Sequence, residues 1–149
     1  MTDREKTLDI IFGRWRSQIL YAGVKLGVFE CVNAVPKDVS EVAKQLNLDS
    51  PLAYRLFRAL GSLGLLKEDA NRNFSITAQG ELLRKDHPQT LRGIVLLEEG
   101  EEHYALWKHL PSMIMDGKQN AFLREYSKNI FEYADSNLAY REIFNQANF

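Results

Sequence analysis

Residues 38 to 77, DVSEVAKQLNLDSPLAYRLFRALGSLGLLKEDANRNFSIT, read as helix, tight turn, helix and hairpin. That order restricts the chain to a mainly α fold, a winged helix-turn-helix with a small β-hairpin wing. Asp38 is placed as an N-cap with Glu41 three residues on, where the pair satisfies amides that a helix start leaves open. Val42, Ala43 and Leu46 share one face. Asn47, Leu48 and Asp49 form the turn, and Ser50-Pro51 restarts a helix as a cap followed by proline, which loses nothing by lacking an N–H there. Leu52, Leu56, Ala59, Leu60 and Leu63 recur at helical spacing, which predicts a helix buried along that side. Gly64 can take the left-handed conformation that ends it. Leu65–Glu68 and Phe74–Ile76 are the strand candidates, joined by the turn-forming run 69–73.

A helix-turn-helix raises the question of DNA, which binds mainly through Lys and Arg set against phosphates. Arg55 and Arg58 lie on the second helix, and Lys67 and Arg72 in the wing. From residue 35 to 80, however, six basic residues face five acidic ones, a weak footprint for a DNA reader. The whole chain carries a formal charge of −1, which argues against a general nucleic-acid or anionic-membrane binder. The expectation is therefore a winged helix used as a structural module, with a DNA-binding transcriptional regulator as the alternative.

At 149 residues the chain is expected to form a single domain. Its one cysteine, Cys31, excludes a disulfide within the chain and a cysteine zinc site, and suits a reducing cytoplasm. The polar start MTDREKTLD has no apolar leader segment, and no run is long enough to span a bilayer. A cytoplasmic location with no membrane partner is expected.

Before the winged helix, Thr2 and Glu5 can cap a helix on which Leu8, Ile11, Phe12, Trp15 and Ile19 form an apolar stripe. The stripe packs either in the chain's own core or on a partner subunit. The helix continues over Gln18–Leu26 and stops at Gly27. After the wing, Thr77 caps a short helix reaching Arg84, and Pro88 is expected to start the next, with Leu91, Ile94 and Val95 inward. Glu98 to Glu102 places four acids around Gly100, read as a solvated helix junction.

In 103–117, HYALWKHLPSMIMDG, the residues Leu106, Leu110, Met113 and Ile114 make a helical face to which Tyr104, Trp107 and Met115 add bulk. The aromatic and methionine concentration either lines a pocket for a planar molecule or packs as core. His103 and His109, six apart, do not share a helical face, so no metal site is expected and both are read as surface or hydrogen-bonding histidines. Phe122 and Tyr126 fall on a short segment. A last helix is expected from Ile130 to about Asn148, with Tyr140, Ile143, Phe144 and Ala147 on one side and its end at Phe149 left open, as if leading into something more.

Taken together, SQILYAGVKLGVFE (17–30), the winged helix with FSITAQGELLR, and Trp107, Leu110, Gly117 and Phe122 followed by IFEYADSNLAYREIFNQAN resemble a known domain. It is the N-terminal dimerisation domain of the S-adenosylmethionine-dependent small-molecule O-methyltransferases, the group of plant caffeate and flavonoid enzymes and bacterial natural-product enzymes. The resemblance runs nearly end to end. It departs at Ser127, where a glycine is expected, and at Asn148, where a methionine often follows the alanine.

The resemblance implies a homodimer whose first helices interlock through Leu8, Ile11, Phe12, Trp15 and Ile19, and a lid over a small aromatic hydroxyl substrate. By position it implies Trp107, Met113, Phe122 and Tyr126 as pocket walls and Trp15 as a residue reaching a partner's site. It divides the domain 1–149 into a helical dimer arm (3–34), the winged helix (38–86) and lid or connecting helices (88–149). The family's Rossmann-like catalytic domain, with its glycine-rich cofactor turn and usual catalytic histidine, is absent from this chain. The nine glycines never stand two apart and no alternating βαβ pattern is present. S-adenosylmethionine is thus expected in the parent enzyme and no cofactor, metal or catalytic residue in this chain, which alone should be inactive; a stand-alone small-molecule binder is a third reading.

Overall fold

The computed structural model describes residues 1–147, and the expectation placed on Asn148 lies outside them. Helices α1 (Asp3–Ile11) and α2 (Gly13–Lys25) replace the continuous first helix that the apolar stripe suggests. The predicted capping box is present: Thr2 Oγ1 accepts from the Glu5 amide at 3.2 Å, and Glu5 accepts from the Thr2 amide at 2.6 Å. The break falls at Phe12 (φ −92°, ψ 8°), next to Gly13, a residue that holds a helix poorly. On α2, Gly23 permits a close approach: a Cβ there would lie 2.9 Å from the Phe29 ring and 3.1 Å from a Leu60 methyl. Gly27 then turns the chain at φ +81° into the short α3 (Val28–Cys31), which buries Val28 and Phe29.

The winged helix forms as its local signals require. Strand β1 (Lys37–Asp38) leads into α4 (Val39–Leu46), and Asp38 caps that helix through the Ser40 amide at 2.7 Å rather than through Glu41. Asn47 takes the left-handed conformation at φ 56°, which an amide side chain tolerates. The cap of α5 (Ser50–Ser62) is Asp49, accepting from the Leu52 amide at 2.9 Å, so the cap stands one residue earlier than the sequence suggests. The buried side of α5 is also rotated from the expected one. Ala53, Phe57 and Leu60 are buried while Leu52 is exposed, because the helix turns its aromatic residue onto the sheet.

Gly64 ends α5 at φ +79°. Strands β2 (Leu66–Glu68) and β3 (Asn73–Ile76) pair antiparallel with Leu66 opposite Ile76. Strand β1, too short for a periodicity signal, adds to the other edge of β3 with Lys37 opposite Phe74, giving the order β1-β3-β2. Phe57 meets Phe74 edge-on at 5.4 Å, and both are fully buried. Thr77 caps α6 (Ala78–Glu81) through the Gly80 amide at 3.0 Å. Pro88 does not start the next helix. The Leu91 amide is tied back to the Leu82 carbonyl at 2.7 Å, and α7 begins only at Arg92 (Arg92–Glu98), after Thr90 accepts from its amide.

The chain divides into two compact units, Met1–Arg92 and a second beginning at Gly93. The second contains most of α7, then α8 (Glu101–Tyr104), a 3-10 turn (Ala105–His109), α9 (Leu110–Asp116), α10 (Ala121–Tyr126), α11 (Ile130–Ser136) and α12 (Leu138–Gln146). The single last helix expected from residue 130 is broken at Asn137, whose extended backbone (φ −134°, ψ 99°) lets its side chain cap α12 through the Tyr140 amide. Ser127 ends α10 at φ 56°. That conformation accounts for the glycine expected there, and a non-glycine residue holds it at a cost of about 1–2 kcal/mol. Leu97, Tyr140 and Ala147 are the buried centre of this unit, with Phe122, Ile130, Tyr133 and Ile143 packed against it. Among the described residues, no helix is long and apolar enough to cross a membrane.

Candidate functional site

In the second unit, α7 to α10 enclose a pocket of about 360 Å³ lined by Glu98, His103, Leu106, Trp107, Leu110, Met113 and Ala121. This size suits a small organic molecule, and a mostly apolar wall with a few polar groups is the usual composition of such sites. A second hollow of about 310 Å³ shares Leu110 and Met113 and adds Ile114, Gly117 and Gln119. Pro111 lies in the first turn of α9 and Gly117 closes that helix at φ +74°. The short α9 therefore presents Leu110 and Met113 to both hollows.

Behind the pocket stands a layer of rings. His103 meets Phe122 edge-on at 6.0 Å, Phe122 lies 5.0 Å from Tyr126, Tyr126 4.6 Å from Tyr133, and Tyr133 5.1 Å from Tyr140. The Tyr126 hydroxyl donates to the Glu102 carbonyl at 2.8 Å. Burial, reinforced by neighbouring Tyr133 and Glu102, pushes its pKa up to about 12. Burial also raises that of Tyr140, with Glu102 and Glu98 adding to it. Both phenols therefore keep their protons at neutral pH, and their chemistry is hydrogen bonding rather than base catalysis.

The site's outer edge is tied by charge. Glu125 on α10 accepts from Lys108 at 2.8 Å and from His109 at 2.6 Å, and these bonds hold its carboxyl below the ordinary 4.5. Because the folded value is depressed, the stabilisation is present above the ordinary value and lost as pH falls through the lowered one. The expected result is a change in near-ultraviolet dichroism as pH falls through that lowered carboxyl value. In Glu125→Gln that acid step should be reduced. Arg124 similarly joins Asp116 at 2.5 Å and Asn120 at 2.5 Å, bracing the turn between α9 and α10.

Of the residues the sequence singled out, Trp107 and Met113 stand on the pocket wall. Phe122 and Tyr126 sit in the ring layer behind it. Trp15 belongs to the first unit, where it is 56% exposed and lies 4.3 Å from the Phe12 ring. Around it Ile10, Ile11 and Phe12 are 81%, 59% and 36% exposed, while Leu8 and Ile19 are half-buried. The contribution of His103 and Glu98 to the pocket was missed. The signal was present, since 103, 106, 107 and 110 fall at i, i+3, i+4 and i+7 and place His103 on the Trp107 face. Among the described residues, no cluster of His, Cys, Asp and Glu is arranged to hold a metal ion.

Residues 8–86 match the O-methyltransferase dimerisation domain. The chain is 31% identical over 140 residues to phenazine O-methyltransferase PhzM of Lysobacter antibioticus, an alignment covering 94% of this chain and 40% of that enzyme. Its backbone superposes on the crystal structure of LaPhzM with a TM-score of 0.91 and 30% identity, covering 99% of this chain and 44% of that one. Human N-acetylserotonin methyltransferase in complex with SAM shares the fold, with a TM-score of 0.86 and 24% identity over 99% of this chain and 45% of that one. The chain thus spans less than half the length of these relatives. It belongs to the O-methyltransferase dimerisation-domain family.

Proposed function

We propose that this chain is the dimerisation and substrate-covering portion of an S-adenosylmethionine-dependent O-methyltransferase whose acceptor is a small aromatic hydroxyl compound. The observation that carries the reading is the backbone agreement with LaPhzM across 99% of the chain. The apolar face of α1 and α2 is the interface in this reading: Leu8, Ile11, Phe12, Trp15 and Ile19 meet their counterparts on a second copy. Trp15 extends toward the partner's site. Trp107 and Met113 form the wall over the acceptor, backed by Phe122 and Tyr126.

The described residues do not fit the cofactor. Their only sheet has three short antiparallel strands, and the sequence offers no paired-glycine turn to approach a nucleoside. Cofactor binding and methyl transfer are therefore assigned to residues outside this chain, and the chain alone is expected to transfer nothing. What its own residues supply is orientation of the acceptor and exclusion of water, which a group transfer needs. The regulator reading gains no support from the charges. Arg58 lies 3.9 Å from Glu68, and Arg72 stands over the Tyr54 ring at 5.8 Å, so two of the four cations of the reading helix and wing are engaged internally.

The test is transfer of a labelled methyl group from S-adenosylmethionine to simple phenols by the longer protein that carries this chain. Trp107→Ala there should raise KM by on the order of tenfold, the loss of one aromatic contact, with a smaller change in kcat. Absence of transfer to any phenol, or an unchanged KM, would count against the assignment.

A further inference from the structure

We propose that the pocket of α7–α10 recognises its aromatic ligand by a free ring hydroxyl held between His103 and Glu98, and so rejects the corresponding methyl ether. The inference rests on reading this pocket as an aromatic acceptor site. Glu98 and His103 are the two ionisable members of the lining. Their facing atoms, His103 Nδ1 and Glu98 Oε2, are 3.7 Å apart, too far for a hydrogen bond to each other. The other ring nitrogen, Nε2, is engaged by the Tyr140 hydroxyl at 2.7 Å.

Tyr140 is almost completely buried and retains its proton. The Glu98 carboxylate facing Nδ1 favours the ring hydrogen on that nitrogen, and Nε2 then accepts from the Tyr140 hydroxyl, since the group at one ring nitrogen sets the role of the other. The pocket therefore offers one donor and one carboxylate acceptor side by side. A hydroxyl oxygen accepts from the first and donates to the second, whereas an ether oxygen can only accept and sets a methyl group against the carboxylate. Leu106, Trp107, Leu110 and Met113 supply the apolar surface for the attached ring.

The experiment is calorimetric titration of the 149-residue chain with 2-naphthol and with 2-methoxynaphthalene. The naphthol should bind at least about tenfold more tightly, because a site built to bond a hydroxyl leaves its own polar groups unpaired when the hydroxyl is missing. His103→Phe and Glu98→Leu should each bring the ratio close to one. His103→Phe also strips Tyr140 of its partner, so Glu98→Leu, at a half-exposed position on the end of α7, decides the matter if the histidine variant fails to fold. Equal binding of the two compounds, or a preference that survives Glu98→Leu, overturns hydroxyl recognition while leaving the aromatic pocket intact. Binding of neither compound overturns both.

Discussion

Replacing Ile11 and Trp15 together by glutamate should turn a dimer of this chain into a monomer, raising its dissociation constant by at least about a thousandfold. Both side chains are more than half exposed in the single chain, and removing an aliphatic or aromatic side chain of this size from water is worth roughly 1.5–3 kcal/mol. In a two-fold interface each substitution acts twice, so four buried side chains are lost at once and four charges take their places. Sedimentation velocity over a concentration series reads the change directly. Circular dichroism should show unchanged helix, because neither residue contributes to the buried core of its own chain. Val35→Glu, at a position 71% exposed in the loop before β1, is the matched control and should leave the dimer intact.

Phe57→Ala should destabilise the first unit by about 3–5 kcal/mol, the range for removing a large aromatic side chain from a packed core. Phe57 is fully buried, meets the Phe74 ring edge-on, and lies one turn from Leu60, which closes on Gly23 of α2. Its loss opens a cavity where α5 rests on the sheet. Total stabilities of 5–15 kcal/mol make this a large fraction, so urea unfolding should move to a much lower midpoint. Leu52→Ala, on the exposed side of the same helix, should change stability by less than about 0.5 kcal/mol. A large effect at Leu52 with a small one at Phe57 would mean that α5 is rotated from the position described.

That pair of residues also marks the limit of what could be read from the sequence. Caps, proline and left-handed turn residues are local, and Thr2, Asp38, Gly64 and Thr77 all act as expected. Which side of α5 faces inward is set by the sheet beneath it, a contact distant in sequence, and two overlapping helical spacings fit the same leucine-rich run. Strand β1 was missed for a similar reason: it has two residues and is defined by pairing with Phe74 and Asn73, far along the chain. Asn137 hides a helix break because an asparagine reads equally as a surface residue or a cap. In the pocket, Trp107 and Met113 were visible as bulk on a helical face. His103 reads from the sequence as a surface or hydrogen-bonding histidine, but its place on the pocket wall depends on a bond to Tyr140, 37 residues away.

In the proposed reading the α1–α2 face joins two copies of this chain. Light scattering coupled to size exclusion at about 20 µM reads the mass of the particle in solution and so tests whether that face is paired. The expected particle has twice the 17.2 kDa chain mass, with the Ile11→Glu, Trp15→Glu variant eluting at the single-chain mass. A monodisperse 17.2 kDa species from the unaltered chain would contradict it.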